Sequence, residues 1–162
     1  MRRFFMMVMI WAICPIPVLA QDSETLEANK ALARQAQQMW STGDIATAED
    51  VYASAYVNHE AADDGKTRPV DLKTYLAVIA DFHRSFNPID VTVLSQTAEA
   101  DMVATRWQLS AVHTGDFMGV AATGKEIVYG GIRIDRIENG RIAESWGNWN
   151  KFGLLSQLGL VN

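Results

Sequence analysis

One cysteine, four prolines and a deficit of basic residues frame this 162-residue chain. The cysteine, Cys14, lies in the N-terminal apolar stretch. Once that stretch is removed no thiol remains for a disulfide, so stability must rest on packing. No basic nucleic-acid footprint exists, since 14 Lys and Arg stand against 19 Asp and Glu. The apolar run Phe4 to Ile13 falls well short of the ~20 residues a bilayer span needs. A zinc-helix pattern is also missing: four residues after His59-Glu60 stands Asp63, not a second histidine, and no metal ligand set is expected. Gly119 and Gly124 read as turn residues rather than a phosphate cradle, because no helix start follows them.

What is present at the N-terminus is Arg2-Arg3, the short apolar run, Pro15, Pro17 and then Val18-Leu19-Ala20. That order predicts a secretory signal peptide over residues 1–20, cleaved after Ala20. Ile13 precedes Cys14 where a lipoprotein signal needs a small residue, which argues against a lipid anchor. The expected mature protein is periplasmic or secreted, with no membrane attachment. Residues 21–162 then form one domain of a size that buries roughly 68–70% of its unfolded surface. The leader holds two of the 14 basic residues and none of the acidic ones, leaving 12 against 19 and a formal charge of −7.

Helical periodicity governs the first half. Asp22-Ser23 offers an N-cap, and Leu26, Leu32, Ala36, Met39 and Trp40 recur at roughly helical spacing until Thr42-Gly43-Asp44. Asp44 can cap a short second helix through Val51 and Tyr52, after which Tyr56-Val57-Asn58-His59 leads into a polar loop from Ala61 to Arg68. Pro69 suits a first helical turn, and Leu72, Tyr75, Leu76, Ile79, Phe82 and Phe86 mark a third helix that Asn87-Pro88 stops. From Ile89 the pattern alternates. Strands are predicted around Ile89 to Val93, over Met102 to His113 and over Glu126 to Ile137, with a loop from Gly115 to Gly124. Asn139-Gly140 is a strong hairpin signal, Arg141 to Asn150 is the returning strand, and Leu154, Leu155 and Leu158 suggest a short closing helix. Helices first and strands afterwards predict an α+β domain, with three N-terminal helices covering one face of a curved antiparallel sheet.

A two-residue turn at Asn139-Gly140 would pair Ile137 with Ile142, Asp135 with Glu144, Arg133 with Trp146 and Tyr129 with Asn150. One face would then collect Tyr129, Arg133, Asp135, Glu144, Trp146, Asn148 and Asn150. The other would show Val128, Ile132, Ile134, Ala143 and Trp149. Two arrangements follow: the polar and aromatic face lines a pocket while the apolar face meets a second subunit, or the charges form a surface ion-pair cluster and the apolar face meets the helices.

Several segments carry a resemblance. Arg106-Trp107, His113-Thr114-Gly115-Asp116-Phe117-Met118-Gly119-Val120 and Ala122-Thr123-Gly124-Lys125 follow in order, then Glu144-Ser145-Trp146 and Gly153-Leu154-Leu155-Ser156-Gln157-Leu158-Gly159, with Tyr56-Val57-Asn58-His59 upstream. Together they resemble the SnoaL-like polyketide cyclases, or ester cyclases, which have the cone-shaped fold of nuclear transport factor 2. The resemblance runs from about Tyr52 to Leu160. It implies ring closure by intramolecular aldol condensation, with an acidic side chain as acid and base and with no metal or organic cofactor. The family's catalytic aspartate stands four residues after the tryptophan of E-x-W, and that position here is Asn150. An amide can hydrogen-bond a carbonyl but cannot carry the proton.

The candidate residues follow from this. His59 and His113 titrate near neutrality, and His59 is the replacement base of this reading, while His113 either contacts substrate or satisfies backbone groups in its turn. Arg106 either holds a ligand oxygen or pairs with Glu144 or Asp135. Alternation puts Arg106 and His113 on opposite faces unless a bulge intervenes. Tyr129, Glu144 and Trp146 complete a substrate-binding wall around Asn150. The leading function is cofactor-free cyclase, lyase or isomerase chemistry on a small carbonyl compound by a homodimer. The alternatives are an exported binding protein for a hydrophobic or aromatic molecule, favoured by Asn150, and an accessory module with a vestigial pocket.

Overall fold

In a computed structural model, which describes residues 23–59 and 68–161, four helices and six strands build an α+β domain on a single mixed sheet. The leader over residues 1–20 and nearly all of the polar loop after His59 lie outside the described residues. Among the described residues no helix is long and apolar enough to cross a membrane.

The first helix, α1 (Ser23–Thr42), buries Ala33, Ala36 and Met39 at helical spacing. Gly43 ends it with φ +69° and its N–H on the Met39 carbonyl at 2.9 Å, as a left-handed C-terminal residue does. Asp44 caps only a turn, its Oδ1 accepting the Ala46 N–H at 3.0 Å, and α2 (Ala48–Val51) is a single turn. The segment expected to run on into a loop is instead a strand, β1 (Tyr52–Asn58), with Tyr52, Tyr56 and Asn58 buried. A seven-residue strand with so few inward side chains has little local signal; its two neighbours in the sheet define it. After the short β2 (Val70–Asp71), α3 (Leu72–Ser85) starts at its N-cap Asp71, which accepts the Thr74 N–H at 2.8 Å, rather than at Pro69. Phe86, expected in that helix, is fully buried as the first residue of β3 (Phe86–Glu99).

Three long strands follow, β4 (Met102–His113), β5 (Glu126–Glu138) and β6 (Arg141–Trp149), then α4 (Lys151–Leu158). The sheet order is β2-β1-β6-β5-β4-β3. All neighbours are antiparallel except β1 and β6, which are parallel, so the sheet is mixed rather than antiparallel. The three helices expected to precede the sheet are likewise interrupted: β1 and β2 separate the one-turn α2 from α3, and α4 follows the sheet. Gln157 pins α4 to β5 by exchanging hydrogen bonds with the Val128 backbone at 2.8 and 2.9 Å.

Three irregularities interrupt the long strands. The β3–β4 register shifts between Phe86 and Ile89 and again between Val93 and Ser95, and the β5–β6 register shifts between Arg136 and Ile137. The β5–β6 shift corrects the expected hairpin. Glu138 faces Arg141 and Ile137 faces Ile142 as predicted, but Ala143 is an extra residue, and beyond it Arg136 faces Glu144, Asp135 faces Ser145 and Arg133 faces Gly147. A bulge of one residue moves every later side chain to the opposite face. Ser145 and Trp149 therefore join Tyr129, Arg133 and Asp135 on the concave side. Glu144 and Trp146 lie on the outer face with Val128, Ile132 and Ile134.

The concave side closes on α1 and α3 in two apolar groups. One joins Tyr52, Tyr56, Ile79, Val103 and Ile142, the other Phe82, Phe86, Leu109, Ile127 and Leu154, and Trp40 packs against both. Gly131 makes room for Trp107 and Trp149 beside the second group: a Cβ there would meet the Asn148 carbonyl oxygen at 2.5 Å and Trp107 Cζ2 and Trp149 Cβ at 2.8 Å.

Candidate functional site

A cavity of about 430 Å³ opens between α1, α3 and the concave face of the sheet. Its wall is aromatic, with Trp40, Phe82, Trp107, Phe117, Tyr129 and Trp149. Trp107 and Tyr129 meet edge to face at 5.8 Å, and Trp149 lies 5.3 Å from Tyr129. Such a surface suits a planar ligand. Polar groups converge at one end, where Gln37, Asn58, Tyr75 and Arg133 reach the cavity. A wider groove of about 1130 Å³ runs along α2, the start of α3 and the β5–β6 turn. The site is placed in the smaller cavity because buried polar side chains converge there.

Arg133 organises that polar end. Its Nε donates to Asp135 Oδ1 at 2.7 Å, Nη1 to the Tyr75 hydroxyl at 2.8 Å, and Nη2 to the Tyr56 hydroxyl at 2.6 Å and Ser145 Oγ at 2.7 Å. Ser145 in turn donates to Asp135 Oδ1 at 2.6 Å. Burial by itself weakens the Arg133 cation, yet Tyr75, Tyr56 and Asp135 around it hold it charged, well above the usual guanidinium range. Burial also raises Tyr56, with Arg133 opposing the rise. Of five guanidinium N–H groups four are engaged, and one on Nη1 is left without a partner among the described residues. Tyr75 accepts a second bond, from Trp40 Nε1 at 2.8 Å. With both lone pairs engaged, its own O–H has no acceptor among the described residues. Asn58 Oδ1, buried at the same end, has no hydrogen-bond partner among the described residues.

The residues singled out from the sequence separate in space. Tyr129 lines the cavity. His59 does not: it lies on the outer face, its ring stacked on Trp146 at 5.0 Å and 8°, its Nε2 2.7 Å from Glu144 Oε2. Glu144 is also bound by Arg136 at 2.7 and 2.9 Å, and these hydrogen bonds from Arg136 and His59 lower its pKa. Glu144 and Trp146 are thus brought to His59, away from Tyr129, because of the bulge at Ala143. Asn150 sits outside the cavity as the N-cap of α4, Oδ1 accepting the Gly153 N–H at 2.8 Å.

Strand β4 pairs with β5 without a shift, so Arg106 and His113 do fall on opposite faces. Arg106 is exposed on the outer side and is not part of the cavity lining, and among the described residues Asp135 and Glu144 pair with Arg133 and Arg136 instead. His113 is fully buried, tilted against Phe86 at 5.1 Å, with Nδ1 3.0 Å from Thr123 Oγ1. It ties the β4 end to the following loop. Asp135, for which the spacing left open a pocket-lining face or a surface ion-pair cluster, is wholly buried under the cavity end.

Sequence reading passed over Tyr75, Trp40 and Asn58 because each sits where an ordinary core residue would. Tyr75 and Trp40 continue helical apolar stripes, and only the approach of α3 to α1 puts indole on phenol. Among the described residues no cluster of three or more His, Cys, Asp or Glu could hold a metal ion.

Comparison with known proteins agrees with this architecture. No curated protein matches the chain at a significant level. Among solved structures, AclR of Streptomyces galilaeus, which carries a provisional hydroxylase assignment, superposes with TM-score 0.75 at 26% identity over 85% of this chain and 99% of its own. IdmH of Streptomyces antibioticus, a provisional polyketide cyclase, gives 0.72 at 26% over 81% and 98%. A provisional cyclase from Acidithiobacillus ferrooxidans, at 23% identity, TM-score 0.72 and coverage of 83% and 96%, shares the fold. The sequence model of the SnoaL-like polyketide cyclases matches residues 30–158. The chain belongs to the SnoaL-like polyketide cyclase family.

Proposed function

We propose that the cavity takes a small planar carbonyl compound and promotes a cofactor-free ring closure or related lyase or isomerase reaction. Its chemistry is centred on Tyr75 and Arg133 rather than on His59 and Asn150. The observation that carries this reading is the Tyr75 hydroxyl, which accepts from Trp40 and Arg133 and keeps its own proton for the ligand. A carbonyl oxygen set against Tyr75 Oη and the remaining Arg133 N–H gains negative charge as it enolises, and preorganised donors of this kind stabilise that charge. The neighbouring C–H becomes acidic enough for water to take its proton. The enolate carbon then bonds to the second carbonyl carbon, whose oxygen takes a proton from Tyr75, and water returns one to the phenolate. Arg133 and the Trp40 N–H stabilise that phenolate in the interval.

The test is incubation of the mature domain with an aromatic β-keto ester able to close by aldol condensation, followed by mass spectrometry and absorbance. Turnover that survives in Tyr75→Phe would sink this assignment. A second reading, a binding protein without turnover, is favoured by the cavity lining, where the described residues include neither a carboxylate nor an imidazole. Tight binding of the ester with no product would establish it.

The proposal extends to export and assembly. The leader pattern of Arg2-Arg3, apolar run and Ala20 supports a periplasmic or secreted protein, checked by the N-terminus of the mature chain. Val128, Ile132 and Ile134 are exposed on the outer sheet face and support a homodimer through that face. A monomer by light scattering would count against it.

A further inference from the structure

Among the described residues three non-glycine positions have φ between +50° and +55°: Ala100, Met118 and Asn139. Asn139 is the residue type that tolerates this region, and Ala100 has nothing beyond its Cβ. Met118 alone brings a long apolar side chain there, and leaves it 60% exposed.

Two turns of the same kind invite comparison. Asn139 and Gly140, with φ +52° and +72°, form the tip of the β5–β6 hairpin. Met118 and Gly119, with φ +54° and +81°, form the tip of a small hairpin closed by Phe117 and Val120, whose backbones bond each other at 2.9 and 3.0 Å. Positive φ at both central residues calls for Asn-Gly. The chain supplies it in one tip and puts Met-Gly in the other. The difference is location, for Met118 lies on the cavity.

The base of this small hairpin is fixed. Ser85 Oγ donates to the Asp116 carbonyl at 2.6 Å, the Thr114 and Gly115 N–H groups reach the Ser85 carbonyl, and Phe117 packs edge to face on Phe86 at 5.0 Å. A strained residue persists where its surroundings over-determine it, and such residues gather at ligand clamps. The thioether side chain is also the one best able to adapt to an irregular apolar surface.

We infer that Met118 covers the ligand in the cavity and selects it by shape, and that its left-handed backbone is kept for that purpose. This rests on the reading of the cavity as the binding site.

The experiment measures 8-anilinonaphthalene-1-sulfonate binding by fluorescence titration, together with thermal unfolding, for the mature protein and three variants. Met118→Asn installs the turn's preferred pair and should raise the melting temperature by about 2–4 °C. The same change should weaken probe binding roughly tenfold, as expected for losing one apolar side chain from the contact. Met118→Leu should keep binding within about threefold of the parent. Val78→Trp, a filling change at an exposed residue of α3 on the cavity, should abolish binding. If Val78→Trp abolishes binding and Met118→Asn leaves it unchanged, the role of Met118 is overturned and the cavity reading stands. If Val78→Trp leaves binding unchanged, the cavity reading fails and this inference with it. A fall in melting temperature in Met118→Asn would overturn the claim that the turn is strained.

Discussion

Arg133 and Asp135, two residues apart on β5, meet at 2.7 Å in the interior, where the Asp135 side chain is fully buried. A strand sends alternate side chains to the same face, so the pair shares the concave side. Tyr75 and Tyr56 take the other end of the guanidinium. Removing one partner of a buried pair strands the other charge, typically at about 3–5 kcal/mol. Asp135→Asn is therefore expected to lower the urea midpoint sharply, with Arg133→Met combined with Asp135→Asn recovering much of that loss. A double change that destabilises by the sum of the two single changes would show that the residues act separately.

Tyr75→Phe keeps the ring between Trp40 and Tyr56 but removes the hydroxyl. Leaving the Arg133 and Trp40 donors without their acceptor costs about 1–3 kcal/mol. Loss of a preorganised donor to a developing oxyanion lowers kcat by about 10²–10³. Circular dichroism and turnover of the β-keto ester, measured on one preparation, separate the two effects.

Asn150→Ala removes the cap of α4, worth about 1 kcal/mol and about 2–4 °C in melting temperature. Because the side chain lies on Gly153 and outside the cavity, turnover should not change. Asn150→Asp keeps the acceptor and adds negative charge at a helix N-terminus, so it should equal or exceed the parent in stability. A gain of activity in Asn150→Asp would return the proton-carrying role to this position.

Glu144 titrates below the ordinary carboxylate range because Arg136, then His59, hydrogen-bond its charged form. The stabilisation is present above the unfolded carboxylate value of about 4.3 and is lost as pH falls through the lower folded value. Both partners sit on the outer face, partly exposed, so salt should reduce the effect. Denaturant melts from pH 5 down to pH 2.5, at low and high salt, should show an acid loss that Glu144→Gln lacks. His59→Ala should weaken the same cluster while leaving turnover untouched.

Much of the fold is legible locally. Apolar recurrence at Leu32, Ala36, Met39 and Trp40 marks α1, alternation within Met102 to His113 marks β4, and the Asn139-Gly140 pair marks the turn. The opposition of Arg106 and His113 also follows from alternation, because β4 pairs with β5 without interruption. Strand β1 was not legible, since its identity comes from the neighbours that complete its hydrogen bonds.

The site was less legible than the fold, for one main reason. Ala143 looks like any small strand residue, yet it is the extra residue of a bulge, and it carries Glu144 and Trp146 to the outer face and Ser145 and Trp149 to the inner one. Nothing within the hairpin marks it.

Sequence alone determined the succession of α1, α3 and the strands β4 to β6, the faces of β4 and β5 and the family motifs, because each depends on spacing within one segment. Tertiary structure alone decided which polar groups meet. Tyr75 reaches Trp40 and Arg133 from positions 35 and 58 residues away, and no local period encodes that meeting. It follows from α1 and α3 closing over a sheet curved by its bulges.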